Sequence, residues 1–132
     1  MRILVADDSP VNQAVARAIL EAARAVVETA ANGAQALERL SSEPFDVVLM
    51  DLRMPVMDGA EAVGRIREGQ AGPVDLPVIA LSADAQPGEG ARLKALGFDG
   101  FQPKPIQPAS LISAIAQAVA TRTNTPVRNE AA

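Results

Sequence analysis

The sequence contains a continuously apolar run that stops at an acidic residue, and this run limits most strongly what the chain can fold into. It extends from Asp46 to Asp51 and has only aliphatic residues between the two acids. A short run without polar alternation is typical of a strand that is buried on both faces, as in a parallel sheet covered by helices. Pro55 and the pair Asp58-Gly59 predict a turn directly after it. Asp51 is therefore expected at the carboxyl edge of a sheet, where open α/β sheets place their chemistry.

Further short apolar segments alternate with helical patterns along the 132-residue chain. The predicted strands are 3–6, 26–29, 46–51, 77–82 and 100–102, and the predicted helices are 10–23, 34–40, 59–68, 87–96 and one that begins at 108. Such alternation favours a parallel sheet with helices on both faces. Five strands and five helices suit an α/β, flavodoxin-like doubly wound sheet of order 2-1-3-4-5, whose binding crevice lies between strands 1 and 3.

The spacing of apolar residues predicts which helix faces meet the sheet. The expected core-facing residues are Val15, Ile19 and Leu20 in the first helix, Ala36, Leu37 and Leu40 in the second, and Leu111, Ile112, Ile115 and Val119 in the last. The fourth helix begins poorly, because Gly88 and Gly90 both lower helix propensity. Its first turn is therefore a candidate for mobility.

The composition excludes several classes of function. The chain has no cysteine, so disulfides, thiolate zinc sites and cysteine nucleophiles are excluded. It has no histidine either, so any phosphohistidine must come from another molecule. The net charge of −4 and the lack of a basic cluster argue against nucleic-acid binding. No stretch resembles a membrane span or a signal peptide, so we expect a cytoplasmic protein without membrane contacts.

Polar side chains follow four of the predicted strands, and the topology directs them toward one crevice. They are Asp7, Asp8, Asp51, Ser82 and Lys104. Clustered carboxylates raise one another's pKa unless a cation neutralises them, and hard oxygen ligands of this kind suit Mg²⁺. With the ion bound, Asp51 can act as a nucleophile, since carboxylates form acyl phosphates in enzymes. Ser82 and Lys104 would then face the oxygens of an incoming phosphoryl group.

Each of these residues has an ordinary explanation when it is considered alone. An Asp after a strand is commonly a turn or helix cap, a Ser there is commonly a loop hydroxyl, and a Lys is commonly solvated. Because all of them are expected at the same edge of one sheet, we favour a functional site over a set of unrelated polar residues.

Four motifs carry a family resemblance, and they follow one another in order. Residues 5–9 read Val-Ala-Asp-Asp-Ser, residues 49–55 read Leu-Met-Asp-Leu-Arg-Met-Pro with Met-Asp-Gly at 57–59, residues 81–83 read Leu-Ser-Ala, and residues 104–105 read Lys-Pro. From about residue 2 to residue 121 the chain resembles the receiver domain of two-component response regulators. The resemblance implies a receiver domain over residues 1–122, and the polar composition at the end of the chain predicts a flexible C-terminal tail over residues 123–132.

The resemblance also implies a role for each acid. Asp51 would accept the phosphoryl group of a phosphohistidine, which a histidine kinase or a histidine phosphotransfer protein would supply. Mg²⁺ would be held by Asp8, Asp51 and the backbone carbonyl of Arg53, and Asp7 would act through a metal-bound water. The domain would catalyse only its own phosphorylation and dephosphorylation.

The same resemblance implies a switch. Ser82 and Lys104 would bind the phosphoryl group, and their movement would reposition Phe101. Phe101 lacks the hydroxyl of the more frequent Tyr, so it cannot donate a hydrogen bond when it turns inward. Ser82 replaces the more frequent Thr and keeps the hydroxyl, and the glycine that often closes the first helix is missing from residues 22–25. The face formed by the fourth helix, fifth strand and fifth helix would bind a downstream protein.

The rim of the pocket is expected to include Arg53, Ala83 and Asp84. Arg53 and Asp84 each lie two residues beyond a key position, so one hypothesis is that they pair across the mouth and limit access of the hydrolytic water. The alternative is that both point into solvent, as an exposed pair that contributes little.

A row of apolar residues on the first helix also has two explanations. Val11, Ala14, Ala18 and Ala22 lie off the predicted core face and could dock the helical bundle that carries the donor histidine. The alternative is an alanine-rich helix with good propensity and no partner.

Several functions remain open from the sequence. The domain is either a complete single-domain regulator or the receiver of a hybrid histidine kinase, and residues 9–13 resemble the first helix of hybrid-kinase receivers. We expect no DNA-binding or enzymatic output module to follow the last helix. An aspartate-nucleophile phosphatase would have an Asp-x-Asp pattern after strand 1, whereas here the acids are adjacent. A pseudo-receiver that only binds partners would tend to lose the acids or the lysine, and all are present.

Overall fold

Strands and helices alternate throughout the part of the chain that the computed structural model describes, which is residues 1–83 and 86–123. The strands are β1 (Arg2–Ala6), β2 (Val26–Ala30), β3 (Val47–Asp51), β4 (Val78–Ser82) and β5 (Gly100–Pro103). The helices are α1 (Pro10–Ala22), α2 (Gly33–Ser42), α3 (Gly59–Arg67), α4 (Glu89–Leu96) and α5 (Pro108–Thr123). All strand pairs are parallel and the order is β2-β1-β3-β4-β5, so the predicted doubly wound fold is confirmed.

The sheet has a hydrophobic core on each face. Because side chains alternate along a strand, Leu4 and Ala6 of β1 pack into one core while Ile3 and Val5 pack into the other. The first core also takes residues of α2, α3 and α4, and the second takes residues of α1 and α5. Every residue of β3 and β4 is buried, as their continuous apolar runs predict.

Short polar side chains determine where three of the helices begin. The Ser9 hydroxyl accepts a hydrogen bond from the backbone N–H of Asn12, and Pro10 occupies the first helical position of α1. Asn32 caps α2 and Asp58 caps α3 in the same way. α4 differs, because it follows Gly88 in a left-handed conformation and begins at Glu89 rather than at the predicted residue 87.

The sequence-based prediction of the helix faces was wrong at two positions. Val15 is 43% exposed and Ile112 is 38% exposed, although both were expected to face the core. Ala16 and Ala118, which were not predicted to face the core, are buried. Ala16 lies four residues before Leu20, so these two share one side of α1, while Val15 is rotated by about 100° from Ala16.

The backbone adopts unusual conformations in the turn after α1 and in the loop after β5. Within residues 22–25, where the glycine that often closes the first helix is missing, Arg24 adopts a left-handed conformation with φ of 69°. The Lys104-Pro105 peptide bond is cis.

No helix among the described residues is long and apolar enough to cross a membrane. The tail was predicted at residues 123–132; Thr123 is instead the last residue of α5, and residues 124–132 lie outside the described residues.

Candidate functional site

The topology brings the predicted site residues together at the carboxyl edge of the sheet. Asp7 follows β1 directly, Asp51 ends β3, Ser82 ends β4 and Lys104 follows β5. In the parallel ladder Ala6 pairs with Met50, and Asp51 itself pairs with a residue of β4. These side chains therefore meet because each lies at or just beyond the end of a strand.

Three carboxylates form a cluster at this edge. Oxygen atoms of Asp7, Asp8 and Asp51 all lie within 4.8 Å of one another. Asp7 is fully buried, Asp51 is 5% exposed and Asp8 is exposed. One oxygen of Asp7, Oδ1, accepts a hydrogen bond of 2.9 Å from the backbone N–H of Ser9, which orients the carboxylate.

The other oxygen of Asp7 provides a test of whether the cluster suits a metal ion. Asp7 Oδ2 is buried, and among the described residues it has no hydrogen bond shorter than its 3.4 Å contact with Lys104 Nζ. Buried carboxylate oxygens almost always have a close hydrogen-bond partner, so an oxygen left in this state is available as a ligand. An all-oxygen donor set of adjacent carboxylates is also what Mg²⁺ prefers. The residues present therefore fit a divalent cation.

Lys104 partly balances the negative charge of the cluster. Its Nζ atom lies 3.1 Å from Asp51 Oδ2 and 3.4 Å from Asp7 Oδ2. Since the lysine side chain is only 21% exposed, water screens these interactions incompletely. The ammonium group therefore bridges two of the three acids.

The pKa values of the two charged partners respond to this arrangement. Burial raises the pKa of Asp51, and the hydrogen bond from Lys104 offsets part of that effect, while the charge of Asp7 raises the pKa further. Burial of Lys104 opposes its charged form, but the hydrogen bond that it donates to Asp51 and the negative charges of Asp51 and Asp7 outweigh burial, so the pKa of Lys104 is raised. Lys104 thus remains an ammonium at neutral pH.

The site opens into a cleft with a volume of about 590 Å³. The predicted residues that line it are Asp8, Asp51, Arg53, Ser82, Ala83 and Lys104. Arg53 is exposed at the rim, as expected, whereas Asp84 lies outside the described residues. The proposed pair between Arg53 and Asp84 therefore stays a prediction.

Sequence reasoning missed the charged residues that α4 contributes to this cleft. Glu89, the first residue of α4, is 8% exposed, and its Oε2 atom accepts a hydrogen bond of 3.4 Å from the Ser82 hydroxyl. Arg92 donates to both carboxylate oxygens of Glu89, each at 3.0 Å. These hydrogen bonds from Arg92 are the main reason that the pKa of Glu89 is lowered. The only signal in the sequence was the spacing of three residues between an acid and a base on one helix.

Phe101 lies on β5 and packs partly buried against the core on the α4 side of the sheet. Its ring is close to the first turn of α4, because a Cβ atom added at Gly90 would lie 3.4 Å from Phe101 Cε1. The predicted switch aromatic therefore contacts the same helix that supplies Glu89.

Comparison with known protein families places this site in context. The family model for the response regulator receiver domain matches residues 3–116 of the chain. The chain belongs to this family. The resemblance found in the motifs is thereby confirmed, and the receiver fold explains why the acids, Ser82 and Lys104 share one edge.

Relatives of this receiver domain include both short and long proteins. The rice two-component response regulator ORR41 (Oryza sativa subsp. japonica) is 42% identical over 115 residues, which cover 84% of this chain and 88% of that protein. The sensor histidine kinase GacS of Pseudomonas protegens is 37% identical over 131 residues, which cover 98% of this chain but 14% of the kinase. Receiver domains of both kinds are thus similar to this one.

A solved receiver domain has a closely similar structure. The crystal structure of the receiver domain of the sensor histidine kinase PA1611 from Pseudomonas aeruginosa aligns with a TM-score of 0.81 and 33% sequence identity. The alignment covers 91% of this chain and 98% of that domain. That structure has a magnesium ion coordinated in its active-site cleft.

Proposed function

We propose that this receiver domain accepts a phosphoryl group on Asp51 from a phosphohistidine of a histidine kinase or a histidine phosphotransfer protein. One observation carries the proposal: Lys104 Nζ lies 3.1 Å from Asp51 Oδ2, inside a cluster of three carboxylates. This pairing keeps a cation beside the carboxylate that would receive the phosphoryl group. Histidine must come from the donor, because the chain has none.

The transfer is a substitution at phosphorus. An oxygen of Asp51 would attack the phosphorus atom, the new O–P bond would form as the donor's P–N bond breaks, and the bonding electron pair would return to the imidazole nitrogen. The Lys104 ammonium and the Ser82 hydroxyl would donate hydrogen bonds to the oxygens of the transferred group. The product is an acyl phosphate on Asp51, and attack of water on it would return the free carboxylate.

The acidic cluster would hold Mg²⁺. Asp8, Asp51 and the backbone carbonyl of Arg53 would supply ligands, and Asp7, whose buried Oδ2 atom belongs to the same cluster, would act beside them. The ion supplies positive charge that offsets the negative charge of the phosphoryl oxygens. Without a cation, the acids would repel both one another and the incoming group.

The domain would signal by a conformational change rather than by acting on a separate substrate. Movement of Ser82 and Lys104 would reposition Phe101, and the surface of α4, β5 and α5 would bind a downstream protein. Residues 1–122 would form the receiver unit, either as a single-domain regulator or as part of a hybrid kinase. Similarity to both ORR41 and GacS supports either context.

A pseudo-receiver that binds partners without phosphorylation is the alternative. The acids, Ser82 and Lys104 are all present and close together, which favours a phosphorylated domain. Incubation with Mg²⁺ and acetyl phosphate, followed by intact-mass measurement, separates the two. We expect an adduct of about 80 Da, the mass of a phosphoryl group, on the wild-type protein.

Two variants locate the adduct. Asp51→Asn should abolish it, while Asp75→Asn, which changes an exposed loop acid at the opposite edge of the sheet, should leave it unchanged. A wild-type protein that gained no mass in the presence of Mg²⁺ would support the pseudo-receiver instead.

A further inference from the structure

The Ser82 hydroxyl donates a hydrogen bond to a carboxylate in the unphosphorylated domain. Ser82 is 3% exposed, and its Oγ atom lies 3.4 Å from Glu89 Oε2. This distance is long for a bond between hydroxyl and carboxylate oxygens, which is usually below about 3 Å. Such a bond can be exchanged for a shorter one at little cost.

Arg92 fixes the position of the Glu89 carboxylate. Glu89 is only 8% exposed, and Arg92 contacts both of its carboxylate oxygens at 3.0 Å. Glu89 is also the first residue of α4, where the helix dipole stabilises a negative charge. The carboxylate is thus held in a charged form at a defined place.

Glu89 and Arg92 line the same cleft as Asp51 and Lys104. A phosphoryl group on Asp51 would bring roughly two negative charges and three acceptor oxygens into this cleft. Its oxygens would compete with Glu89 for the single proton of the Ser82 hydroxyl.

We propose that Glu89 is a positioning residue for Ser82: its carboxylate holds the hydroxyl in the unphosphorylated domain, and binding of the phosphoryl group requires Ser82 to leave it. The inference rests on the proposed function, because the hydroxyl matters only if it meets a phosphoryl group. Arg92 acts through Glu89, since it keeps the carboxylate within reach of Ser82.

The exchange has a consequence for α4. Once Ser82 leaves, Glu89 remains bonded to Arg92 of its own helix and no longer ties α4 to the end of β4. The neighbouring Gly90 lies against the ring of Phe101, so release of the first turn changes the packing of Phe101. Phosphorylation of Asp51 thereby affects α4 through the loss of the hydrogen bond between Ser82 and Glu89.

A double-mutant cycle tests the inference. Beryllofluoride with saturating Mg²⁺ serves as the probe for the phosphoryl group, and its Kd is measured for the wild type, Glu89→Ala, Ser82→Ala and the double variant. Glu89→Ala should lower the Kd about three- to tenfold, the effect of removing one competing hydrogen bond. In the Ser82→Ala background the same change should alter the Kd less than about twofold.

Glu61→Ala is the matched control for this cycle. Glu61 also lies in the first turn of a helix and pairs with an arginine of the next turn, but it is half exposed and does not contact Ser82. Its replacement should leave the Kd unchanged. An unchanged Kd in Glu89→Ala, or an equal change with and without the Ser82 hydroxyl, would overturn the inference.

A second measurement needs no phosphoryl group. In the unphosphorylated protein, Ser82→Ala should shift the carboxyl ¹³C resonance of Glu89, and a resonance that stayed in place would also overturn the inference. Failure of the proposed function looks different. In that case the wild type would bind beryllofluoride no better than Asp51→Asn, whatever residue stands at position 89.

Discussion

Gly59 lies directly against the backbone of Asp51. A Cβ atom added at Gly59 would overlap the carbonyl oxygen of Asp51 and come within 3.1 Å of Leu52 Cα. The Gly59 N–H also donates to the Leu52 carbonyl at 3.2 Å. The start of α3 therefore packs on the residue proposed to accept the phosphoryl group, and only glycine allows this approach.

Gly59→Ala should weaken both stability and phosphorylation. Since backbone rather than a flexible side chain must shift, we expect a loss of about 1–3 kcal/mol in the free energy of unfolding. Displacement of Asp51 should slow adduct formation with acetyl phosphate about tenfold or more. Urea denaturation and a mass time course measure the two effects.

Gly64→Ala is the control in the same helix. A Cβ at Gly64 meets no heavy atom within 4 Å, and Gly64 lies inside α3. This variant should gain up to about 1 kcal/mol from helix propensity and should be phosphorylated normally. A loss of stability in Gly64→Ala equal to that in Gly59→Ala would show that the contact with Asp51 is not the cause.

Magnesium should stabilise the folded domain. A ligand that binds only the folded state adds about 2.7 kcal/mol when its concentration is one hundred times its Kd. Thermal unfolding with and without Mg²⁺, at matched ionic strength, should therefore give a higher Tm with the ion. Asp7→Asn and Asp8→Asn should lose most of this difference, while Asp75→Asn should keep it. An equal rise in all variants would mean that the ion acts nonspecifically.

The sheet could be predicted from the sequence because its signals are local. β3 and β4 are continuous apolar runs, and a run of this kind has few alternatives to a strand buried on both faces. The inward faces of α1 and α5 were harder to predict, because the prediction favoured large side chains over alanine. Ala16 and Ala118 are buried, because a helix that packs closely on a sheet can have a small residue at its inward position.

The candidate site likewise contains some residues that could be predicted from the sequence and others that could not. Asp7, Asp51, Ser82 and Lys104 could be predicted because each lies at or just beyond the end of a strand, so the topology alone brings them together. Glu89 comes from the first turn of a helix that is reached through a loop. The left-handed Gly88 directly before it redirects the chain, and no local pattern defines that direction.

Asp99 ties together three segments at the amino edge of the sheet, far along the strands from the acidic cluster. Its Oδ2 atom accepts hydrogen bonds from Arg67 at 2.9 Å and from the backbone N–H of Val78 at 2.8 Å, and its Oδ1 atom accepts one from Arg122 at 2.7 Å. The Asp99 side chain is only 9% exposed, so these bonds are shielded from water. This acid joins α3, β4 and α5 to the start of β5.

Asp99→Asn should therefore destabilise the domain without changing its chemistry. Loss of the charge leaves two guanidinium groups without their counterion, and we expect a cost of about 2–4 kcal/mol in the free energy of unfolding. The phosphorylation rate per folded molecule should not change. Asp75→Asn, an exposed acid near the same edge, should cost less than about 0.5 kcal/mol. Similar losses for both variants would show that net charge, rather than the bonds of Asp99, is responsible.

The stability contributed by Glu89 should depend on pH. Because hydrogen bonds from Arg92 lower the pKa of Glu89, its contribution is fully present above the ordinary glutamate pKa of about 4.3 and is lost as the pH falls through the lower folded-state value. The difference in Tm between the wild type and Glu89→Gln should be constant from neutral pH down to that range and shrink at lower pH. A difference that stayed constant in acid would mean that the charge of Glu89 contributes nothing to stability.

Arg24 occupies a backbone conformation that suits glycine. It follows the end of α1 with φ of 69°, and its N–H donates to the Glu21 carbonyl while that of Ala25 donates to the Leu20 carbonyl. A left-handed residue at this place closes a helix, and a side chain there costs roughly 1–2 kcal/mol. Arg24→Gly should therefore stabilise the domain, by about 1 kcal/mol after the larger entropy of glycine in the unfolded chain is subtracted. Ala23→Gly is the control, because Ala23 has φ of −92° and should lose stability on the same change. Urea denaturation of the two variants decides the matter, since a loss in both would show that the conformation of Arg24 carries no strain.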